Sequence, residues 1–360
     1  MLKRMKIKNL TVFPIADFEF SSGLNVIIGE NGCGKSHLLK TAYALIAASA
    51  EEGRKPNVGE PTKTLLQKNY ADKLISVLRP ENLGRLARRK QGRERCELSF
   101  EFDEKKLNFS LGFATSSKSD VQIEHLNKAW QPKSPVFLPT REMLTLYPGF
   151  VSIYDNHYLE FDETYRDVCL LLGAPALKGP REKKAAEHLK PLEEAMGGKV
   201  ILDNNGRFYL SVPGQGKMEM PLVAEGLRKL AMLSRLISTG SLLDKGYLFW
   251  DEPETNLNPK LIKTVAKSIL YLCLSGIQVF ISSHSLFLLR ELDVLYESVE
   301  FKDLKHRYFA LKTGDNGVEI EQGDSIEDLN TIILLDEELQ QSDRYISYGE
   351  ESDYNSKSNN

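Results

Sequence analysis

The chain has 360 residues, of which 41% are hydrophobic and 27% charged, and its formal net charge at pH 7 is −3. This composition is ordinary for a globular protein of one large or two smaller domains, and it excludes a uniformly basic surface that would attract nucleic acid or membrane. The four cysteines are far apart, which argues against a zinc cluster or a disulfide framework, and no apolar stretch reaches the roughly 18 residues of a membrane span, so we expect a cytoplasmic protein.

The N-terminal segment predicts three strands, at residues 5–12, 17–20 and 24–28, the last of which runs into a glycine-rich loop. The loop reads G-x-x-x-x-G-K-S from Gly29 to Ser36, and an amphipathic helical pattern follows at once. Strand, glycine loop, Lys-Ser and helix is the context that a phosphate-binding loop requires. Phe13, just upstream, is either a stacking partner for adenine or a buried turn residue.

Each part of this loop has an expected role. The glycines allow the backbone N–H groups to point at phosphate oxygens, and the helix adds its positive N-terminal end. Lys35 is expected to reach the β- and γ-phosphates, and the Ser36 hydroxyl to bind Mg²⁺. The complete predicted nucleotide-binding segment is Gly29, Glu30, Asn31, Gly32, Cys33, Gly34, Lys35, Ser36 and His37.

A loop at residues 51–62 and a helix at 64–77 come next, followed by the clearest basic patch of the chain. The patch consists of Arg85, Arg88, Arg89, Lys90, Arg93 and Arg95. It could contact a nucleic-acid backbone or an acidic partner, or it could be a solvated charge run. Alternating residues then predict a β-hairpin at 96–102 and 107–113, an edge strand at 121–126 and a buried strand at 136–138.

The character of the chain changes at residue 143, where helical segments broken by proline and glycine predict a helical insert. A hairpin across residues 204–206 follows the insert. We predict an N-terminal part of a head domain at 1–145, the insert at 146–199, a C-terminal part of the head at 200–336 and a disordered acidic and polar tail at 337–360. A helix at 326–339 is also predicted.

Two further apolar strands, at 247–250 and 277–281, end in polar residues. Strands that alternate with helices predict a parallel α/β sheet, whose strand ends meet at one edge. Asp251 is expected to bind Mg²⁺ and Glu252 to polarise an attacking water, while His284 is placed to contact the γ-phosphate. Gly226, at the start of a helix at 224–237, could bring bare N–H groups against phosphate.

The order of these motifs resembles the ABC-type ATPase head of the branch that includes SMC, RecF and OLD-family proteins. G-E-N-G-C-G-K-S is similar to Walker A and Y-L-F-W-D-E-P-E to Walker B. T-N-L-N-P resembles the D-loop, S-S-H-S-L-F-L-L the switch-histidine segment, A-E-G-L-R-K-L-A the signature helix and F-L-P-T-R-E-M the Q-loop region.

The resemblance implies a P-loop NTPase of the α/β class, ABC ATPase-like, with a mixed β subdomain and the helical insert, which hydrolyses ATP with Mg²⁺. It implies that two heads bind ATP face to face, with Gly226 acting in trans, so that ATP controls a homodimer or higher homo-oligomer. Short heads of this kind resemble ATPase subunits that regulate a separate nuclease or toxin in bacterial antiphage defence.

Two positions depart from the family pattern. Ala224 stands where the signature usually has serine, and no glutamine occupies the Q-loop region, so that Thr140, Arg141 or Glu142 must substitute. These departures make a nucleotide-gated scaffold with little turnover an alternative. A RecF-like DNA-repair ATPase is a second alternative because it shares the same head. A transporter's nucleotide-binding subunit is a third, against which the missing glutamine argues.

Overall fold

The computed structural model describes residues 1–88, 94–156, 159–243 and 245–330, together with residues 337, 340–345, 347 and 348. Within these ranges the strands are β1 (Leu2–Leu10), β2 (Phe13–Glu19), β3 (Leu24–Gly29), β4 (Arg95–Phe102), β5 (Phe109–Ala114), β6 (Gln122–His125), β7 (Pro135–Leu138), β8 (Lys199–Leu202), β9 (Phe208–Val212), β10 (Gly216–Glu219), β11 (Tyr247–Asp251), β12 (Gln278–Ser283), β13 (His306–Gly314) and β14 (Gly317–Gly323). The α-helices are α1 (Lys35–Glu52), α2 (Lys63–Leu78), α3 (Tyr147–Asp155), α4 (Glu163–Leu172), α5 (Pro180–Met196), α6 (Glu225–Ser238), α7 (Pro259–Leu274) and α8 (Leu286–Tyr296).

The central sheet has the strand order β14-β13-β3-β12-β11-β7. Its strands run parallel except β14, which pairs antiparallel with β13. Every residue of β3, β11 and β12 is buried, as expected of strands covered on both faces. The predicted parallel α/β sheet is thus confirmed.

Neighbouring residues of the central strands point into different cores, because side chains alternate along a strand. Val26 and Trp250 face a core that contains α6, α7 and α8. Ile27 and Phe249 face a second core, which contains α1 and residues of β1, β4 and β5. The sheet therefore lies between a helical layer and a layer made of α1 and a second sheet.

The second sheet is antiparallel, with the order β2-β1-β4-β5-β6. The predicted hairpin is formed by β4 and β5, which are joined around residues 103–108, and β6 is the predicted edge strand. A third sheet, with the order β10-β9-β8, contains the predicted hairpin across residues 204–206.

The predicted insert is helical, as α3, α4 and α5 show. The predicted break at Pro148 interrupts α3, where Pro148 and the following Gly149 (φ 80°) are both non-helical. The predicted break at Gly179-Pro180 lies just before α5, where Gly179 has a φ of 66° that favours glycine. Val168 and Leu192 of the insert belong to the same hydrophobic core as α6 and α7. The division of the chain into head and insert stays a prediction.

Sequence reasoning was wrong about the region after residue 300. It predicted no strands there, whereas β13 and β14 extend the central sheet beyond β3. Among the described residues of the helix predicted at 326–339, Ile326–Asp328 form a 3₁₀ turn, residues 329 and 330 are not helical and Glu337 is helical; residues 331–336, 338 and 339 lie outside the described part of the chain. Residues 340–345 are helical, although we predicted a disordered tail from residue 337.

No helix of the described ranges combines the length and the apolar character needed to cross a bilayer.

Candidate nucleotide-binding site

The carboxyl ends of β3, β12, β11 and β7 meet at one edge of the central sheet, where the predicted site segments begin, except the one around Gly226. Asp251 lies in register with Ser282 of β12, and Ser282 lies in register with Ile27 of β3. The acidic end of β11 is therefore only two strands away from the glycine-rich loop. A parallel sheet creates this crevice because its strand ends share one edge.

The loop from Gly29 to Ser36 turns through three glycines with positive φ: Gly29 at 149°, Gly32 at 87° and Gly34 at 89°. Side chains rarely adopt such angles, so the glycines are a backbone requirement. Gly34 precedes α1 in the N-cap position, and no side chain caps the helix there. The first N–H groups of α1 are thus left to a ligand, and the helix dipole favours an anion.

Two of these glycines differ in their surroundings. A Cβ atom on Gly34 would lie 2.6 Å from Cγ2 of Val12 and 2.9 Å from Cε2 of Phe13, so the loop rests directly on the core. A Cβ atom on Gly32 would meet nothing within 4 Å, so Gly32 faces open space. Phe13 is fully buried beneath the loop, which contradicts a stacking role on adenine and supports the buried-turn interpretation.

The ammonium group of Lys35 lies inside the loop. Lys35 is 6% exposed, and its Nζ atom donates to the carbonyl oxygens of Gly29 at 2.7 Å and Glu30 at 2.9 Å. An ammonium group has three N–H donors, so one donor remains for a phosphate oxygen. The contact of Lys35 with the β- and γ-phosphates stays a prediction.

The other loop residues differ in how accessible they are to a bound nucleotide. Glu30 and Asn31 are exposed, and Ser36 is half-buried. Cys33 is completely buried, its Sγ atom contacts the carbonyl oxygen of Glu30 at 2.9 Å, and burial raises the pKa of its thiol. Cys33 can therefore serve a nucleotide only through its backbone. His37 lies in the first turn of α1, where desolvation lowers its pKa and the Asp251 charge opposes that shift.

Asp251 ends β11 as a carboxylate that is 8% exposed, and its Oδ1 atom accepts a hydrogen bond from the Ser282 hydroxyl. Asp251 ends β11 at the same edge of the sheet as the loop that carries Ser36, two strands away from β3. A carboxylate and a hydroxyl are hard oxygen donors that suit Mg²⁺, which commonly takes one or two protein ligands and completes its shell with phosphates and water. Ser36 and Asp251 therefore fit a magnesium site in their chemistry.

Glu252 adopts a left-handed backbone conformation, with φ at 49°. Its N–H donates to the carbonyl oxygen of Ser282 at 3.1 Å. The side chain is fixed at both oxygens: Oε2 accepts from the Thr255 hydroxyl at 3.1 Å, and Oε1 lies 3.3 Å from Nδ1 of His284. The carboxylate and the imidazole, which we predicted separately, are thus brought together in one contact.

Lys229 is a site residue that sequence reasoning missed. It is 3% exposed, and its Nζ atom donates to the carbonyl oxygens of Glu252 at 2.7 Å and Thr255 at 3.2 Å. Burial lowers its pKa to about 8, although Glu254, Glu252 and Asp251 act in the opposite direction. The sequence did contain a signal for the burial of Lys229, because this residue lies one helical turn before the apolar Met232 and Leu233, which are buried in α6.

The three candidates for the Q-loop role differ in their contacts. Glu142 is buried, accepts from the Thr145 hydroxyl at 2.8 Å and forms an ion pair with Arg228 at 3.0 Å. Arg141 is exposed, and Thr140 contacts Tyr165. Glu142 is therefore committed to contacts within the chain, and Thr140 and Arg141 remain the better candidates.

Gly226 lies in the first turn of α6 and is buried. A Cβ atom there would lie 2.7 Å from the backbone carbonyl oxygen of Asn256. The side chain of Asn256 also donates a hydrogen bond through Nδ2 to Glu225 at 2.9 Å. This close approach of α6 to the segment after β11 requires a glycine by itself. The role of Gly226 in trans stays a prediction.

The described arginines of the predicted basic patch make contacts within the chain. Arg85 pairs with Glu81, Arg95 pairs with Glu124, and Nη1 of Arg88 donates to the carbonyl oxygen of Val12 at 2.8 Å. Arg89, Lys90 and Arg93 lie outside the described residues.

Comparison with known proteins identifies the fold and the family. The family model described as "AAA domain, putative AbiEii toxin, Type IV TA system" matches residues 101–290, more than half of the chain, and one described as "AAA domain" matches residues 4–129. No curated protein compared with the chain matches it.

Solved structures of SMC heads are similar to the chain. An SMC head bound to the C-winged helix domain of ScpA is 12% identical, with a TM-score of 0.57, over 91% of this chain and 98% of that chain. The SMC head domain from Thermotoga maritima is 13% identical, with a TM-score of 0.49, over 89% of this chain and 98% of that chain. The fold is that of a P-loop ATPase head.

Proposed function

The chain belongs to the AAA-domain family whose model spans residues 101–290, and on this premise we propose that it binds ATP and hydrolyses it with Mg²⁺. The observation that carries the proposal is the contact between Oε1 of Glu252 and Nδ1 of His284 at 3.3 Å. This pair lies at the edge of the sheet where the glycine-rich loop also begins. A carboxylate oriented by two neighbours is what positioning of an attacking water requires.

The residues divide the work of hydrolysis among them. The backbone N–H groups of the loop and the third donor of Lys35 hold the β- and γ-phosphates. Ser36 and Asp251 would hold Mg²⁺, which neutralises charge that develops on the phosphate oxygens. Glu252 accepts a hydrogen bond from the attacking water, and His284 contacts the γ-phosphate and orients the carboxylate.

We further propose that ATP controls the association of two copies and thereby a partner effector, in antiphage defence. The start of α6 supports the first part, because the apolar Leu222 beside it is 73% exposed. The SMC head bound to the C-winged helix domain of ScpA is a precedent for a head that works with a separate protein. The description of the family as a toxin of a toxin–antitoxin system is compatible with defence.

One observation favours a second candidate function, a nucleotide-gated scaffold with little turnover. Ala224 occupies the N-cap of α6 and has no hydroxyl with which to contact a phosphate across a dimer. Loss of such a contact weakens stabilisation of the transition state more than it weakens binding.

Phosphate release from ATP by the purified chain, with and without Mg²⁺, tests the proposed function. We expect Mg²⁺-dependent release by the wild type and loss of both ATP binding and release in Lys35→Ala. Lys63→Ala is the matched control, because Lys63 is exposed at the start of α2. Phosphate release by Lys35→Ala at the wild-type rate would contradict the proposal. Tight ATP binding by the wild type without phosphate release would favour the scaffold.

A further inference from the structure

Glu254 is a buried acid for which the proposed function has no use. It is 7% exposed and follows Glu252 and Pro253 in the turn after β11. Ionised side chains are rarely buried unless they are hydrogen-bonded or paired. The contacts of its carboxylate therefore indicate what it does.

One oxygen of Glu254 binds the segment that joins β12 to α8. Its Oε1 atom accepts from the Ser283 hydroxyl at 2.7 Å and from the backbone N–H of His284 at 3.1 Å. The same Ser283 hydroxyl accepts from the N–H of Ser285 at 3.0 Å, and the Ser285 hydroxyl caps α8 by accepting from Leu288 at 3.2 Å. Glu254 is thus the far end of a chain of hydrogen bonds that fixes the backbone on both sides of His284.

This anchoring matters because the His284 side chain has few other constraints. The imidazole is 47% exposed, and its Nδ1 atom lies 3.3 Å from Oε1 of Glu252 and 3.9 Å from Oε1 of Glu254. A half-exposed ring on a free turn would sample several rotamers. Because Glu254 binds the backbone N–H of His284, the ring is held where it can contact Glu252.

The second carboxylate oxygen of Glu254 lacks the hydrogen bonds that the first oxygen makes. Its Oε2 atom is buried and has no hydrogen-bond partner among the described residues. Buried polar atoms of native proteins nearly always have partners, so an unpartnered one usually has a functional reason. A glutamine would keep the acceptor at Oε1, whereas an alanine would remove it.

We propose that Glu254 is a positioning residue that holds His284 against Glu252 by fixing the backbone between β12 and α8. The proposal rests on the proposed function, in which His284 and Glu252 take part in ATP hydrolysis. A displacement of a reacting group by about 1 Å can cost on the order of 100-fold in rate, so the loss of the anchor should be measurable.

Steady-state hydrolysis by Glu254→Ala, Glu254→Gln, His284→Ala and the double variant Glu254→Ala/His284→Ala tests the proposal. We expect Glu254→Ala to lower kcat by about 100-fold with KM for ATP within about threefold, since the anchor acts on chemistry rather than on binding. Glu254→Gln should restore kcat to within about fivefold of the wild type because its amide oxygen accepts the same bonds. The double variant should be no slower than His284→Ala alone, because residues that act through one another are not additive.

A second measurement separates failure of this proposal from failure of the proposed function. The chain has six histidines, and ¹⁵N-imidazole NMR spectra of the full chain identify the His284 signal as the one lost in His284→Ala. Glu254→Ala should shift that signal and leave the other five in place, and Glu254→Gln should not shift it. Additive losses in the double variant, an inactive Glu254→Gln or an unshifted His284 signal in Glu254→Ala would each overturn the proposal. A wild type without hydrolysis would overturn the proposed function, and the spectra would still decide the role of Glu254.

Discussion

The Nζ atom of Lys229 donates a hydrogen bond of 2.7 Å to the backbone carbonyl oxygen of Glu252. This bond ties α6 to a residue whose left-handed φ of 49° costs about 1–2 kcal/mol in a non-glycine residue. The second bond of Lys229, to the carbonyl oxygen of Thr255, spans the same turn. The proposed base thus sits on a strained turn that a buried lysine of another helix supports.

Lys229 should give the folded chain a characteristic dependence on pH. Its pKa is lowered from 10.5 to about 8, so between these values the unfolded chain binds more protons than the folded chain. The free energy of unfolding should therefore rise with pH, by about 2 kcal/mol between pH 7.5 and 9.5. Urea unfolding of the wild type and Lys229→Met at both pH values measures this difference, because methionine cannot titrate.

Lys263→Met is the control for this experiment, since Lys263 is an exposed lysine of α7. It should keep the pH dependence of the wild type. If Lys229→Met showed the same rise as the wild type, the ammonium group would not be buried as the structure has it.

Gly34 and Gly32 should respond differently to alanine. Both have positive φ, but only a Cβ atom on Gly34 would collide with Val12 and Phe13. Gly34→Ala should lose about 3 kcal/mol of unfolding free energy, from backbone strain and overpacking together, whereas Gly32→Ala should lose about 1 kcal/mol from strain alone. Thermal and urea unfolding measure both variants, and equal losses would show that the loop does not rest on the core.

The same two glycines allow an effect on folding stability to be distinguished from an effect on ATP binding. Since Gly32 faces open space at the loop, Gly32→Ala should remain folded but bind ATP at least about tenfold more weakly, because its methyl group and its strained backbone disturb the phosphate cradle. Unchanged ATP affinity in Gly32→Ala would argue against phosphates at this loop.

Lys73 holds three acids together where the insert meets α1. It is 6% exposed and pairs with Glu51 at 2.7 Å, Glu163 at 3.1 Å and Asp167 at 3.2 Å. Burial alone would lower the pKa of Lys73, but Asp167, Glu51 and Glu163 outweigh it and raise that pKa. The network joins α1, α2 and α4.

Lys73→Met should lower the free energy of unfolding by about 3 kcal/mol at pH 8, because it leaves acids partly buried without their cation. The loss should be smaller at pH 5, since burial already raises the pKa of Glu163 and the unpaired acids can then take up protons. Lys68→Met, at an exposed lysine of the same helix α2, should change stability by no more than about 0.5 kcal/mol. A loss that is equal at both pH values would contradict the electrostatic explanation.

The site residues that we predicted from the sequence follow segments with a strong local pattern of apolar residues. Apart from Asn25, the strand before Gly29 is apolar, as is the strand before Asp251, and buried parallel strands have this composition. The polar residues that follow such strands must meet at one edge of the sheet, so the approximate position of the site followed from the sequence.

The missed part depends on contacts between distant segments. β13 pairs in parallel with β3, far away in sequence, and β13 and β14 mix charged and apolar residues, so neither has the signature of a buried strand. Lys229 and Glu254 have roles only because α6 and the β12–α8 segment meet the turn after β11. Gly226 likewise is explained by the nearby carbonyl oxygen of Asn256, which no local pattern reveals.

Single-turnover hydrolysis of ATP by Glu252→Gln tests the central claim most directly. With protein in excess and ATP binding measured on the same sample, we expect phosphate release to fall by at least about 100-fold while the Kd for ATP stays within about threefold of the wild type. That result would identify Glu252 as the base and leave the nucleotide pocket intact. Release at the wild-type rate by Glu252→Gln would contradict the assignment and, with it, the proposed chemistry at the end of β11.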